Sequence, residues 1–127
     1  MRRRVLIIDD DREMRALLAA ILETIGFDAD LLSDGIAALE LKQEYDAIIV
    51  DLNMPVFDGE QLLEYWSITQ RDLLDRVIVL TGYSSYTRGR KLPRIFATLS
   101  KPFDYQKLME LVEQCSTRHL QLTTSCT

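Results

Sequence analysis

"IIVDLNMPVFDGEQLL", residues 48 to 63, decides how the chain folds. Ile48, Ile49 and Val50 form an apolar, β-branched run without polar alternation, the pattern of a strand covered on both faces. The run stops at Asp51, and Asn53, Met54, Pro55, Asp58 and Gly59 follow before Leu62, Leu63 and Trp66 resume at helical spacing. Pro55 stiffens the turn, Asp58 is a candidate cap, and Gly59 permits a tight backbone where a helix begins. The stretch therefore reads as strand, loop and helix, with a carboxylate carried to the tip of a buried strand.

The same unit recurs on both sides of it. Val5 to Ile8 reads as a strand, and Met14, Leu17, Leu18, Ile21 and Ile25 then recur at helical spacing until Gly26. Phe27 to Leu32 forms a second strand, and Ser33 or Asp34 offers an N-cap for a short helix through about Lys42. Ala47 to Val50 is the third strand, Val77 to Leu80 the fourth, and about Ile95 to Ser100 the fifth. Tyr105, Leu108, Leu111, Val112 and Cys115 give a last helix an apolar stripe. Buried strands separated by amphipathic helices imply right-handed crossovers, and so an α/β, doubly wound domain with a parallel sheet covered on both faces. "GYSSYTRGRKLPRI", residues 82 to 95, departs from this rhythm: it contains Gly89 and Pro93, and only Tyr86 and Leu92 are placed to form a stripe. A short, irregular or mobile segment is expected there instead of a regular fourth helix. The polar residues from 118 onward read as a fraying helical continuation or a tail, which divides the chain into 1–117 and 118–127.

Composition bounds the function. The 127 residues are 47% hydrophobic and 28% charged, the profile of one soluble domain. A net charge of −5 opposes a direct nucleic-acid role, because neutralising phosphates needs a basic face. Arg2 to Arg4 and Arg88, Arg90, Lys91 and Arg94 are local basic clusters of the kind that usually form solvated surface. Cys115 and Cys126 are the only cysteines, too few for a disulfide framework. The opening "MRRRVLIIDDD" has only four apolar residues before three acids, so it does not read as a signal peptide. No stretch has the length of a membrane span, and a cytoplasmic protein is expected.

In doubly wound sheets, ligands collect beyond the carboxyl ends of the strands. Asp9, Asp10 and Asp11 follow the first strand, Asp51 the third, Thr81 the fourth and Lys101 the fifth. Carboxylates gathered at one rim repel unless a cation lies between them. Mg²⁺, with Mn²⁺ as a substitute, takes such oxygen ligands. Asp10 and Asp51 are the expected direct ligands, with the backbone carbonyl of Asn53, and Asp9 binds through water. Lys101 offers a compact positive charge and Thr81 a hydroxyl, which completes a site for phosphoryl transfer onto a carboxylate nucleophile. Singly, each residue has an ordinary turn explanation. Jointly they converge on one chemistry.

The chain resembles the receiver domain of two-component response regulators. The resemblance rests on "LIIDDD" with Asp9 and Asp10, "DLNMPVFDG" with Asp51, "LTGY" with Thr81 and "SKPF" with Lys101, and covers about residues 4 to 115. It implies a flavodoxin-like, five-stranded parallel sheet in the order 2-1-3-4-5. It further implies that Asp51 takes a phosphoryl group from a phosphohistidine on a histidine kinase or histidine phosphotransfer domain, with Thr81 and Lys101 contacting the phosphoryl oxygens. By the same resemblance, Asn53 and Tyr83 tune hydrolysis of the acyl phosphate. The molecule would be a self-modifying switch and not a turnover enzyme.

Two departures from the family pattern stand out. The aromatic residue that usually lies three positions before the lysine is Thr98 here, and the segment preceding the fifth strand is irregular. Phosphorylation is therefore expected to act by ordering residues 82 to 95. The output is expected to be an output domain, a dimer partner or another bound protein, the sequence being either stand-alone or a piece of a larger regulator. Two other readings compete. One is a receiver fold serving as a docking or dimerisation module independent of phosphate. The other is a phosphatase of the haloacid dehalogenase type with Asp9 as nucleophile, although Glu13 occupies the position where that motif has Thr or Val.

Overall fold

The core of the computed structural model is five parallel strands in the order β2-β1-β3-β4-β5. The structure describes residues 3–41, 43–54, 57–82 and 92–125, with side chains described as far as residue 118. The strands are β1 (Arg3–Ile8), β2 (Phe27–Leu32), β3 (Ala47–Asp51), β4 (Val77–Thr81) and β5 (Ala97–Ser100). Among the described residues the helices are α1 (Arg12–Glu23), α2 (Gly59–Thr69) and α3 (Tyr105–Ser125). The sheet order and the two covered faces match the expected doubly wound architecture.

Strand period sorts the core into two halves. Val5, Ile7, Ile49, Ile78 and Leu80 face α1 and α3, where Leu18, Leu22, Leu108 and Val112 meet them. Leu6, Ile8, Ile48, Val50, Val77 and Val79 face α2, which supplies Leu62, Leu63 and Trp66. Every residue of β3 is buried, so Asp51 reaches the rim as the last residue of the central strand.

Local signals set most of the helix ends. Asp11 caps α1, its side chain accepting hydrogen bonds from the amides of Glu13 and Met14. Gly26, at φ 93°, turns the chain into β2. Asp58 caps α2 in a reciprocal box with Gln61, at distances of 2.9 and 3.0 Å.

The short helix expected after Ser33 or Asp34 is replaced by a single 3₁₀ turn, Ile36–Ala38. Asp34 does accept from the Ala37 amide. The carbonyls of Ala38 and Leu39, however, accept from Trp66 Nε1 and Gln70 Nε2, which removes acceptors that a continuing helix would use. A second 3₁₀ segment, Arg71–Arg76, leads from α2 into β4. β5 begins at Ala97, two residues later than expected. Two stripe assignments also change: Tyr105, at the first position of α3, is exposed and stands edge-on to Phe103, and Leu17 is partly exposed while Leu22 is buried. Residues 118 to 125 continue α3 as helix. Of the segment 82–95, expected to be irregular, residues 83–91 lie outside the described residues, and 92–96 form neither helix nor strand.

Candidate functional site

The carboxyl ends of β1, β3, β4 and β5 converge on one rim. Asp51 ends β3 and is buried, and its Oδ1 accepts from the Asn53 amide at 3.0 Å. Asp9 and Asp10 follow β1; Asp9 is buried and Asp10 exposed. One carboxylate oxygen from each of Asp9, Asp10 and Asp51 lies within 4.8 Å of the others. Lys101 Nζ stands 3.6 Å from Asp51 Oδ2 and 4.0 Å from Asp9 Oδ2, held there by β5 and by the bond from its amide to the Thr81 carbonyl. The sequence-derived constellation is thus brought together at Asp9, Asp10, Asp51, Asn53, Thr81 and Lys101.

Two polar atoms at this rim are conspicuous. Among the described residues, Asp9 Oδ2 and Thr81 Oγ1 are buried without a hydrogen-bond partner. A buried polar group left in this way costs on the order of 1–3 kcal/mol, which a ligand can return by bonding to it. Burial is also the main reason that the Asp9 carboxyl is pushed up to about 6; the Asp11 amide opposes the shift, and the charge of Asp51 adds to it. Asp51 is raised as well, chiefly by burial, while the Asn53 amide and Lys101 pull it back. Two buried acids and a third beside them, with an Asp9 oxygen that accepts no hydrogen bond, fit a hard divalent cation that takes oxygen ligands.

A family description of response regulator receiver domains matches residues 5–113. The chain belongs to this family. Among its relatives, the receiver protein CpdR of Brucella abortus is 29% identical over 88% of this chain and 95% of CpdR. The chemotaxis protein CheY of Halobacterium salinarum is 30% identical over 92% of this chain and 99% of CheY. The solved structure of response regulator TrrA from Thermotoga maritima, in complex with Mg²⁺ and BeF, superposes with a TM-score of 0.78. It shares 28% identity, across 89% of this chain and 98% of TrrA.

Within the receiver, one position expected from the sequence stands apart from the cluster. Thr98 is exposed on β5, paired in register with Val79, two residues short of Thr81. Tyr83 lies outside the described residues. Gly82 lies against Asn53, so that a Cβ there would stand 3.0 Å from Asn53 Nδ2. One contact was not foreseen from the sequence: Arg15 Nη1 donates to the backbone carbonyl of Asp9 at 2.7 Å. Its signal was an arginine one helical turn after the Asp11 cap, where side chains tilt back toward the strand end.

Proposed function

We propose that this receiver is a phosphoacceptor switch in which Asp51 takes a phosphoryl group from a phosphohistidine of a histidine kinase or histidine phosphotransfer domain. The observation that carries the reading is the placement of Asp51: at the tip of the central strand, within 4.8 Å of two other acids and 3.6 Å from Lys101. A carboxylate oxygen of Asp51 attacks phosphorus; the P–O bond forms as the P–N bond to the donor imidazole breaks, and the nitrogen leaves with the electron pair. The Lys101 ammonium, already beside Asp51 Oδ2, neutralises charge on the phosphoryl oxygens. Thr81 Oγ1 donates to one of them, which gives that buried hydroxyl its partner.

Asp10, Asp51 and the Asn53 carbonyl would hold Mg²⁺ or Mn²⁺, with Asp9 acting through water. Bound there, the cation supplies positive charge that lets a phosphate approach three acids. Hydrolysis reverses the modification: water attacks phosphorus and the Asp51 carboxylate departs, with Asn53 and Tyr83 controlling access. The receiver unit is assigned to residues 1–117, with 118–127 appended to it, in a cytoplasmic setting. Among the described residues no helix is long and apolar enough to cross a membrane. Segment 82–95 and its neighbouring surface carry the response to an output or dimer partner. Hydrogen exchange that is unchanged in this segment by a phosphate mimic would reject that assignment.

Acetyl phosphate with Mg²⁺, followed by mass spectrometry, tests the whole. The expected adduct is on Asp51 and is absent from Asp51→Asn. An adduct on Asp9 favours the phosphatase reading, and no adduct at all favours a docking module.

A further inference from the structure

We infer that Arg15 is a positioning residue for the acid pair: its guanidinium clamps the peptide between Asp9 and Asp10 and so fixes where the Asp10 carboxylate stands. The inference rests on the cation-site reading above and goes beyond it, since Arg15 touches neither a carboxylate of the site nor the acceptor.

The geometry follows from where β1 ends. Asp9 lies one residue past the strand, and three bonds hold it. Its amide donates to the Leu32 carbonyl at 3.1 Å, which continues the β1–β2 ladder for one more step. Its Oδ1 accepts from the Asp11 amide at 2.9 Å. Its carbonyl accepts from Arg15 Nη1 at 2.7 Å. The first two bonds orient the near side of Asp9 and its side chain. The third acts on the peptide plane that Asp9 shares with Asp10, because the carbonyl of Asp9 and the amide of Asp10 belong to the same rigid unit. Asp10 is exposed, yet its carboxylate lies within 4.8 Å of those of Asp9 and Asp51 despite the repulsion among them. A side chain that would otherwise turn out to solvent is aimed inward by its backbone.

Arg15 reaches this carbonyl from the second turn of α1, whose start is fixed by the Asp11 cap. Cap, helix and guanidinium close a ring of contacts around the acids. Partners one step removed from metal ligands commonly affect metal affinity roughly 10–100-fold when lost. An opposing effect exists: a guanidinium near three acids repels an incoming cation, so its removal by charge alone would tighten binding. The two effects have opposite signs, and the sign is the test.

The experiment compares wild type, Arg15→Met and Arg15→Lys in Mg²⁺ titrations followed by calorimetry and by amide NMR, with thermal unfolding in metal-free buffer as the control on folding. Positioning predicts that Arg15→Met weakens Mg²⁺ roughly tenfold and shifts the Asp10 amide resonance before metal is added, while Arg15→Lys, still a donor, recovers most of the affinity. Mg²⁺ binding by Arg15→Met that equals or exceeds wild type overturns the inference. Should Arg15→Met unfold, Arg15→Lys and Arg15→Gln decide by whether affinity follows their ability to donate. Failure of wild type to bind Mg²⁺ would instead overturn the cation-site reading itself, a separate outcome of the same titration.

Discussion

At the amino-terminal end of the sheet, each acid meets its own cation; at the carboxyl-terminal rim, two buried acids share one lysine beside a third acid. Arg3 forms a two-pronged bridge to Glu113 at 2.6 and 2.8 Å, donates to the Ile25 carbonyl, and lies 4.2 Å over the Phe27 ring. Asp30 accepts from both Arg4 and Tyr45 at 2.7 Å. These bonds outweigh the burial that opposes ionisation and hold the Asp30 carboxyl below its usual range. Glu113 is lowered by its bond to Arg3. At the rim the signs reverse: burial raises Asp9 and Asp51. The same residue types stabilise one end and are held under tension at the other, where the tension is what a cation and a phosphoryl group can relieve.

The strongest way to break this contrast is Asp51→Asn. It should abolish acyl phosphate formation entirely, yet leave stability at pH 7 unchanged or raised by about 1 kcal/mol, since it removes a buried charge and keeps an acceptor for the Asn53 amide. A markedly destabilised variant would mean that the rim is built for stability after all.

The pH dependence comes next in size. The folded carboxyl of Asp9 lies at about 6, above its ordinary value of 3.8, so the native state holds that proton more tightly than the unfolded chain. Its contribution to stability is complete below about pH 4 and is lost as pH rises through about 6, at most roughly 3 kcal/mol. Urea unfolding without divalent ions should show this loss in the wild type, and Asp9→Asn should remove it. Added Mg²⁺ should stabilise more at pH 7 than at pH 5. Glu113 and Asp30 act with the opposite sign, their contributions fading as pH falls through the acidic range.

Arg3→Met should cost about 1–2 kcal/mol through the lost bridge, the carbonyl bond and the contact with Phe27, while leaving labelling of Asp51 intact. Lost labelling would show that the two ends are coupled. The smallest effect is expected at Cys115, on the buried face of α3, its thiol pushed up to about 12 mainly by burial. In a Cys126→Ser background, thiol reagents at pH 8 should modify Cys115 only as fast as the fold opens.

How much of this was legible beforehand depended on how far along the chain each cause lay. The Asp58 and Gly26 signals act within three residues, and the strands announce themselves through runs such as "IIVD", so both fold and acid cluster could be read directly, whereas the Asp11 cap was found only in the structure. The missing helix after Asp34 could not be, because the groups that capture the Ala38 and Leu39 carbonyls arrive 28 and 31 residues later. The Arg3–Glu113 bridge joins positions 110 apart. Arg15 was close in sequence, but its target is a backbone carbonyl, an atom every residue carries and no motif records. Tyr105 was misassigned because periodicity does not distinguish the first residue of a helix from its buried middle.

Gly59 illustrates one consequence for reading variation. A Cβ at this position would stand 2.6 Å from the Asp51 carbonyl oxygen and 2.8 Å from the Leu52 Cα, both of them backbone atoms with nowhere to retreat. In a saturation screen for signalling, this chemically silent residue should tolerate as little replacement as the acceptor it underlies. A ranking by intolerance alone would class the two together, although one is intolerant for its reactivity and the other for the room it leaves.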